Sequence, residues 1–140
     1  MGETKRQEIL YVSAFFLIQI VFLIWVVWQK HDWISTDGIS YIVIAQYYAS
    51  GQIDLAVSGY WSPMLSWLIA PLLGVVNEPL YAAQMAMGIS AIVFLMGCMA
   101  IFRIMGIRSF AMFVALGIVV FFSVRWAIQG ITPDLLMSGI

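Results

Sequence analysis

The sequence predicts an all-α protein of the polytopic transmembrane class, and three observations carry this prediction. Hydrophobic residues make up 64% of the 140-residue chain and charged residues only 9%, whereas a soluble domain carries about 25% charged residues. Long apolar runs at residues 9–28, 80–102 and 107–124 match the roughly 20 residues with which a helix spans a bilayer. A more polar segment, residues 29–79, separates the first run from the second.

The distribution of basic residues predicts the topology. Basic residues lie before the first apolar run and after the second, and the positive-inside rule places such residues in the cytoplasm. The apolar stretch 63–76 is short for a span and contains a proline, so we expect it to form an interfacial helix. Both basic groups are then cytoplasmic, as is the N-terminus, and segment 29–79 is an external loop. Residues 125–133 are predicted to form a second external loop, which begins at Arg125. The basic residues concerned are Lys5, Arg6, Arg103 and Arg108.

Asp37 is the most informative side chain of this external loop. It lies at the start of a predicted interfacial helix over residues 37–50, which a preceding hydroxyl residue can cap and Gly51 can end. Asp134 similarly begins a fourth apolar helix, at the same membrane face. Either carboxylate can serve simply as a helix-start charge that the helix dipole stabilises. An ionisable group at the membrane boundary is nevertheless a functional candidate.

The apolar end of the chain bears on domain organisation. Residues 135–140 resemble the first turns of a span that the sequence does not complete. We therefore expect residues 1–140 to form a single transmembrane domain, the N-terminal part of a longer protein. Its partners are then membrane lipids and the remaining transmembrane helices of that longer chain.

Charge and cysteine content exclude two further features. The net charge of −1 gives no argument for nucleic-acid binding, so no nucleic-acid partner is expected. The single cysteine, Cys98, cannot form an intramolecular disulfide and lies in an apolar run. It is interpreted as a small buried apolar residue.

Three short segments occur in an order that a known family shares. Thr36-Asp37-Gly38 leads into the first short helix, Gly59-Tyr60-Trp61-Ser62-Pro63 leads into the second, and Ile131-Thr132-Pro133-Asp134 precedes the last apolar stretch. This order resembles the N-terminal region of GT-C glycosyltransferases. The likeness is to the bacterial dolichyl-phosphate-mannose-type mannosyltransferase and aminoarabinose transferase group, and it covers residues 9–140.

The chain departs from that family at two places. The family often carries a second acid beside the first, and here the neighbour of Asp37 is Gly38. Relatives frequently have Lys-Pro-Pro or Pro-Pro where this chain has Ser62-Pro63. These departures leave the sugar and the acceptor open, and they weaken the argument for a metal ion, because paired acids are the more convincing ligands.

The resemblance implies a membrane glycosyltransferase, or its N-terminal part, that transfers a sugar from a polyprenyl-phosphate donor to an acceptor. It implies a bacterial inner-membrane location, with the site facing the periplasm or exterior. Asp37 is the candidate general base. No cofactor is fixed by the sequence, and a divalent metal ion held with Asp134 is left open. The candidate substrate-binding residues are Asp134 for the acceptor, Arg125 (or Lys30) for the leaving phosphate, Tyr60 and Trp61 for the sugar, and Tyr41 beside Asp37.

Two other function classes compete with the transferase. A non-catalytic small membrane protein or assembly subunit fits the small residues Ala82, Ala86 and Ser90, whose spacing lets another helix approach closely. A truncated transporter is the third reading. It predicts acids within the spans, yet the three complete predicted spans contain none.

Overall fold

The computed structural model describes residues 2–29, 34–107 and 109–139, and all regular secondary structure within them is α-helical. The predicted all-α class is therefore confirmed for these residues. Lys30 and Arg108, which enter the predictions above, lie outside them. In chain order the helices are α1 (Gly2–Gln29), α2 (Thr36–Ala49), α3 (Ile53–Ala56), α4 (Pro63–Leu73), α5 (Pro79–Ile104), α6 (Ser109–Gln129) and α7 (Asp134–Ser138).

Two of the described helices are long and apolar enough to cross a membrane. They comprise Pro79–Ile104, which is α5, and Phe110–Ala127, which is most of α6. The described apolar part of α1, Leu10–Trp25, is shorter, as is Pro63–Leu73, the helix α4. By length and composition, α5 and α6 therefore indicate membrane association.

Helices α1, α5 and α6 pack side by side, and their contacts fix their directions. The rings of Tyr11 and Phe113 lie 5.8 Å apart, so the early part of α1 lies beside the early part of α6. Leu23, near the end of α1, packs over Gly88, near the start of α5. A tight turn with Gly106 at φ 66° reverses the chain between α5 and α6. Helix α5 is therefore antiparallel to both α1 and α6.

This arrangement defines an upper end of the bundle, where α1 and α6 finish and α5 begins. Helices α2 and α4 pack against each other and against α5. The hydroxyl Oγ of Ser66 on α4 donates a 3.0 Å hydrogen bond to the backbone carbonyl of Tyr41 on α2. The core between these helices contains small and branched apolar side chains, namely Ile42, Ala45, Leu65, Ile69, Ala82 and Ala86.

Three details of the predicted elements need correction. Helix α6 continues to Gln129, so the prediction that Arg125 lies in an external loop is wrong. Residues 125–129 contain no glycine or proline, so nothing stops the helix before Gly130. Helix α4 ends at Leu73 rather than at residue 76, with Gly74 as its C-cap. The sequence does not predict α3, because four residues are too few to show a helical period.

Candidate functional site

At the start of α2, Asp37 is not the residue that caps the helix. Ser35 is the N-cap, and its Oγ accepts a 3.1 Å hydrogen bond from the backbone N–H of Gly38. The prediction of a hydroxyl cap is thus confirmed for Ser35. Asp37 lies in the first turn of the helix and is exposed. Since another residue caps the helix, the Asp37 carboxylate remains available for a ligand.

Gly38 explains how this helix start is positioned. A Cβ added at Gly38 would lie 3.0 Å from Cβ and from Cδ1 of Ile131, and 3.0 Å from the Ser35 Oγ. Ile131 itself is buried, with 5% of its surface exposed. The start of α2 therefore packs directly on the segment between α6 and α7. A side chain at position 38 would press on Ile131 and on the Ser35 hydroxyl, so the glycine permits this close packing.

Tyr41 is a buried residue whose phenol is influenced by both candidate acids. It lies one turn after Asp37 and is only 4% exposed. Burial raises the pKa of the Tyr41 phenol, and the nearby carboxylates of Asp134 and then Asp37 raise this pKa further. Two acids that are far apart in the sequence are thus both near enough to the Tyr41 phenol to raise its pKa. A phenol kept neutral in this way can donate a hydrogen bond to a carboxylate or to a ligand.

Aromatic side chains extend the site away from Tyr41. Its ring meets the ring of Trp61 edge to face, with centroids 5.2 Å apart, and Trp61 meets Tyr60 in the same way at 4.8 Å. The Ser58 Oγ accepts hydrogen bonds from the backbone N–H groups of Tyr60 and Trp61, both at 3.2 Å. Tyr60 is 83% exposed. Trp61 is therefore held in place, while Tyr60 faces outward where a ligand can reach it.

One wall of the outer cleft, a cavity between α2 and the segment that follows α3, is formed by Trp61. The cleft is a shallow depression that is open to the surface, with a volume of about 580 Å³. Asp37 and Asp134 are not part of its lining. The complete lining is Ile39, Ser40, Val43, Ile44, Leu55, Val57, Ser58, Gly59 and Trp61.

Asp134 lines a second cavity, which we call the α7 groove. It lies between α5, α6 and α7 and has a volume of about 190 Å³. Among the described residues of this lining, Asp134 is the one that carries a charge. It is exposed, and it also raises the pKa of Tyr41. The other lining residues are Phe94, Phe122, Ser123, Trp126, Leu135 and Ser138.

Arg125 is not brought into the cluster around Tyr41. It is exposed on α6, it lines neither cavity, and it is not among the groups that shift the pKa of Tyr41. Within the described part of the chain, no three His, Cys, Asp or Glu residues are grouped so as to hold a metal ion. The acids of the candidate site are the pair Asp37 and Asp134.

Several residues that shape the site do not stand out in the sequence. Gly38 and Ile131 join α2 to the segment before α7, and Ser66 links α4 to Tyr41. A glycine in the first turn of a helix, where it weakens the helix, is the one signal that indicates a close approach. The contacts of Ile131 and Ser66 have no comparable local signal.

No protein-family profile matches the chain, and neither a curated protein nor a solved structure matches it.

Proposed function

We propose that the chain is a membrane glycosyltransferase of the GT-C type, or the N-terminal part of one. In this proposal it transfers a sugar from a polyprenyl-phosphate donor to an acceptor at the external membrane face. The observation that carries the proposal is that Asp37 and Asp134, from distant parts of the sequence, both raise the pKa of the buried Tyr41 phenol. Each acid begins a helix, and packing of Gly38 on Ile131 supports their convergence.

Asp37 acts as the general base in the proposed reaction. The acceptor oxygen or nitrogen attacks the anomeric carbon of the sugar, and its proton passes to the Asp37 carboxylate. The bond between that carbon and the lipid phosphate breaks, and the phosphate leaves with the bonding electrons. A base must come within roughly 3 Å of the proton it removes. The exposure of Asp37 and its freedom from helix capping support this role.

The neighbouring residues orient the substrates. Asp134 accepts a hydrogen bond from the acceptor, and Tyr41 donates one from its neutral phenol. The position of Tyr41 is set by the Ser66 hydrogen bond and by the Trp61 ring. Tyr60 and Trp61 present aromatic faces to the sugar.

The proposed topology has α1, α5 and α6 crossing the membrane, with the N-terminus in the cytoplasm. Two features of the bundle support it: α5 runs antiparallel to α1 and α6, and Asp134 begins α7 at the upper end. The site then faces the exterior, which is the periplasm for a bacterial inner-membrane protein. This places Asp37 where a lipid-linked donor presents its sugar.

The leaving phosphate needs a positive partner. Arg125 lies in the last turns of α6, near the upper end of the bundle, and a guanidinium group matches phosphate oxygens in geometry. We propose that Arg125 takes this role together with groups on further transmembrane helices of a longer chain.

The decisive experiment compares Asp37→Asn with Asp54→Asn in the complete protein as the cell makes it. Membranes carrying each variant are assayed with a panel of labelled polyprenyl-phosphate sugars. Loss of a general base lowers rates by about 100- to 10,000-fold, so Asp37→Asn should lose transfer activity while still inserting into the membrane. Asp54, an exposed acid at the start of α3, is the matched control and should keep activity.

Two outcomes would count against the proposal. Retained transfer by Asp37→Asn would remove Asp37 from the role of base. If the unaltered protein transfers no sugar from any donor of the panel, the transferase proposal fails. The non-catalytic assembly subunit is then the remaining alternative.

A further inference from the structure

The α7 groove has a buried floor and exposed walls. Ser123 and Leu135 form the floor and are 0% and 6% exposed. Phe122 and Trp126 form a wall and are 57% and 50% exposed. The groove is therefore open to the surface of the bundle. Its volume of about 190 Å³ is below the roughly 300–1,000 Å³ of sites that enclose a whole small molecule, so it fits one end of a longer ligand.

The position of the groove along α6 places it at the depth of the hydrocarbon layer. Residues 122–126 lie roughly 20–25 Å from the start of α6, at about 1.5 Å per residue. The hydrocarbon core is about 30 Å thick. If α6 spans the membrane from its start at Ser109, the groove opens toward lipid chains a few ångströms below the upper boundary.

The charge of the lining selects the head group. Asp134 is the one charged residue among the described residues of the groove. The two serine hydroxyl groups of the lining already donate hydrogen bonds within the protein. The Ser123 Oγ donates to the Val120 carbonyl at 3.1 Å, and the Ser138 Oγ donates to the Asp134 backbone carbonyl at 2.6 Å. Among the described lining residues there is thus a carboxylate and no cation to meet an anionic head group. A cationic head group complements the carboxylate.

We infer that the α7 groove binds an amphiphile that has a primary ammonium head group and an apolar chain. The ammonium group pairs with the Asp134 carboxylate, and the first carbons of the chain lie against Phe122 and Trp126. Charge complementarity selects this occupant over a phospholipid with an anionic head group. The inference rests on the groove and on Asp134, and it holds whether or not the chain transfers a sugar.

Trp126 gives the test a built-in reporter, because it lines the groove. The full chain is placed in neutral detergent micelles and titrated with a brominated long-chain alkylammonium, whose bromine quenches tryptophan fluorescence. The brominated alcohol and the brominated carboxylate of the same chain length are the matched probes. The Trp126→Phe protein measures quenching of the other tryptophans, and the difference isolates Trp126.

The expected result is saturable quenching of Trp126 that is strongest for the ammonium probe and weakest for the carboxylate. Asp134→Asn should weaken binding of the ammonium probe about tenfold, which is about 1.4 kcal/mol, while Asp54→Asn leaves it unchanged. Equal quenching by all three probes would overturn the inference, as would an unchanged affinity in Asp134→Asn. If Asp134→Asn does not fold, the comparison of the three probes on the unaltered protein still decides.

Discussion

The starts of α2 and α7 look alike in the sequence but differ in the structure. Each helix has an aspartate in its first turn. At α2, the Ser35 side chain caps the helix, and Gly38 fixes the helix against Ile131. At α7 the N-cap residue is Pro133, which offers no side-chain hydrogen bond. The same pattern of residues therefore gives one acid on a capped, tightly packed helix and one acid on an uncapped helix.

The two acids also differ in what surrounds them. Asp134 raises the pKa of the Tyr41 phenol more than Asp37 does, and it also lines the α7 groove. Asp37 lines neither the groove nor the outer cleft, and it lies beside Tyr41 on the same helix. A helix-start acid is therefore best judged by whether another residue already caps the helix and by which cavity it faces.

The largest expected effect is a difference in transfer kinetics between the variants of the two acids. In the transfer assay, Asp37→Asn should lower kcat by about 100- to 10,000-fold, because the proposed base is lost. Asp134→Asn should lower kcat/KM about tenfold, mainly by raising the KM for the acceptor, because a single positioning hydrogen bond to a charged group is lost. Steady-state kinetics with varied acceptor measures both. Equal losses of kcat in the two variants would contradict this division of roles.

The next effect tests the close contact at the start of α2. Gly38→Ala should lower the free energy of unfolding by about 1–3 kcal/mol, because the added Cβ overpacks against Ile131. Gly88→Ala is the control, since its Cβ would meet only Leu23 Cδ1 at 3.9 Å. Thermal unfolding in detergent, followed by circular dichroism, compares the two. A Gly38→Ala protein as stable as the Gly88→Ala protein would disprove the contact.

A smaller effect tests the side-chain N-cap of α2, which has no counterpart in α7. Ser35→Ala should cost about 1 kcal/mol of stability, the usual loss on removing a hydroxyl N-cap. Thr36→Ala, at the adjacent exposed position, should change stability by less than about 0.5 kcal/mol. The same unfolding measurement serves for both variants. If the two substitutions cost the same, Ser35 does not stabilise α2 through its side chain.

The smallest effect concerns the titration of Tyr41. Its pKa is raised, so the phenol should remain protonated to higher pH than an exposed tyrosine. Removing a neighbouring negative charge lowers the pKa, and Asp134→Asn should lower it more than Asp37→Asn does. Phenolate absorbance, with Tyr41→Phe subtracted, measures the shift. If Asp37→Asn instead lowers the Tyr41 pKa more than Asp134→Asn does, Asp37 has the stronger electrostatic effect on the phenol.

The sequence predicts the parts of this molecule that local patterns determine. The all-helical class follows from composition and apolar runs, and the start of α2 follows from Ser35 and Asp37. The prediction that the third apolar run ends at residue 124 is wrong. It takes the charge of Arg125 as a boundary, whereas a single arginine does not stop a helix. Local sequence signals predict a cap, a turn or a helical period, but not contacts between distant segments.

The candidate site depends on contacts between distant segments, and these contacts leave little trace in one sequence. Asp37 and Asp134 are predicted at the same membrane face, but their meeting around Tyr41 depends on how α2 packs on the segment after α6. The α7 groove likewise exists only once three helices are in place. The bond from Ser66 to Tyr41 is another contact of this kind.

The contact between Gly38 and Ile131 also constrains how the protein is made. Ile131 leaves the ribosome about ninety residues after Gly38, which is about 5–20 s at about 5–20 residues per second. During this interval α2 has emerged without the segment on which its start packs. Helices α4 and α5 are made before α6 and can already pack on the rest of α2. The acid pair is thus assembled late in synthesis, after α6 and the segment that follows it have been made.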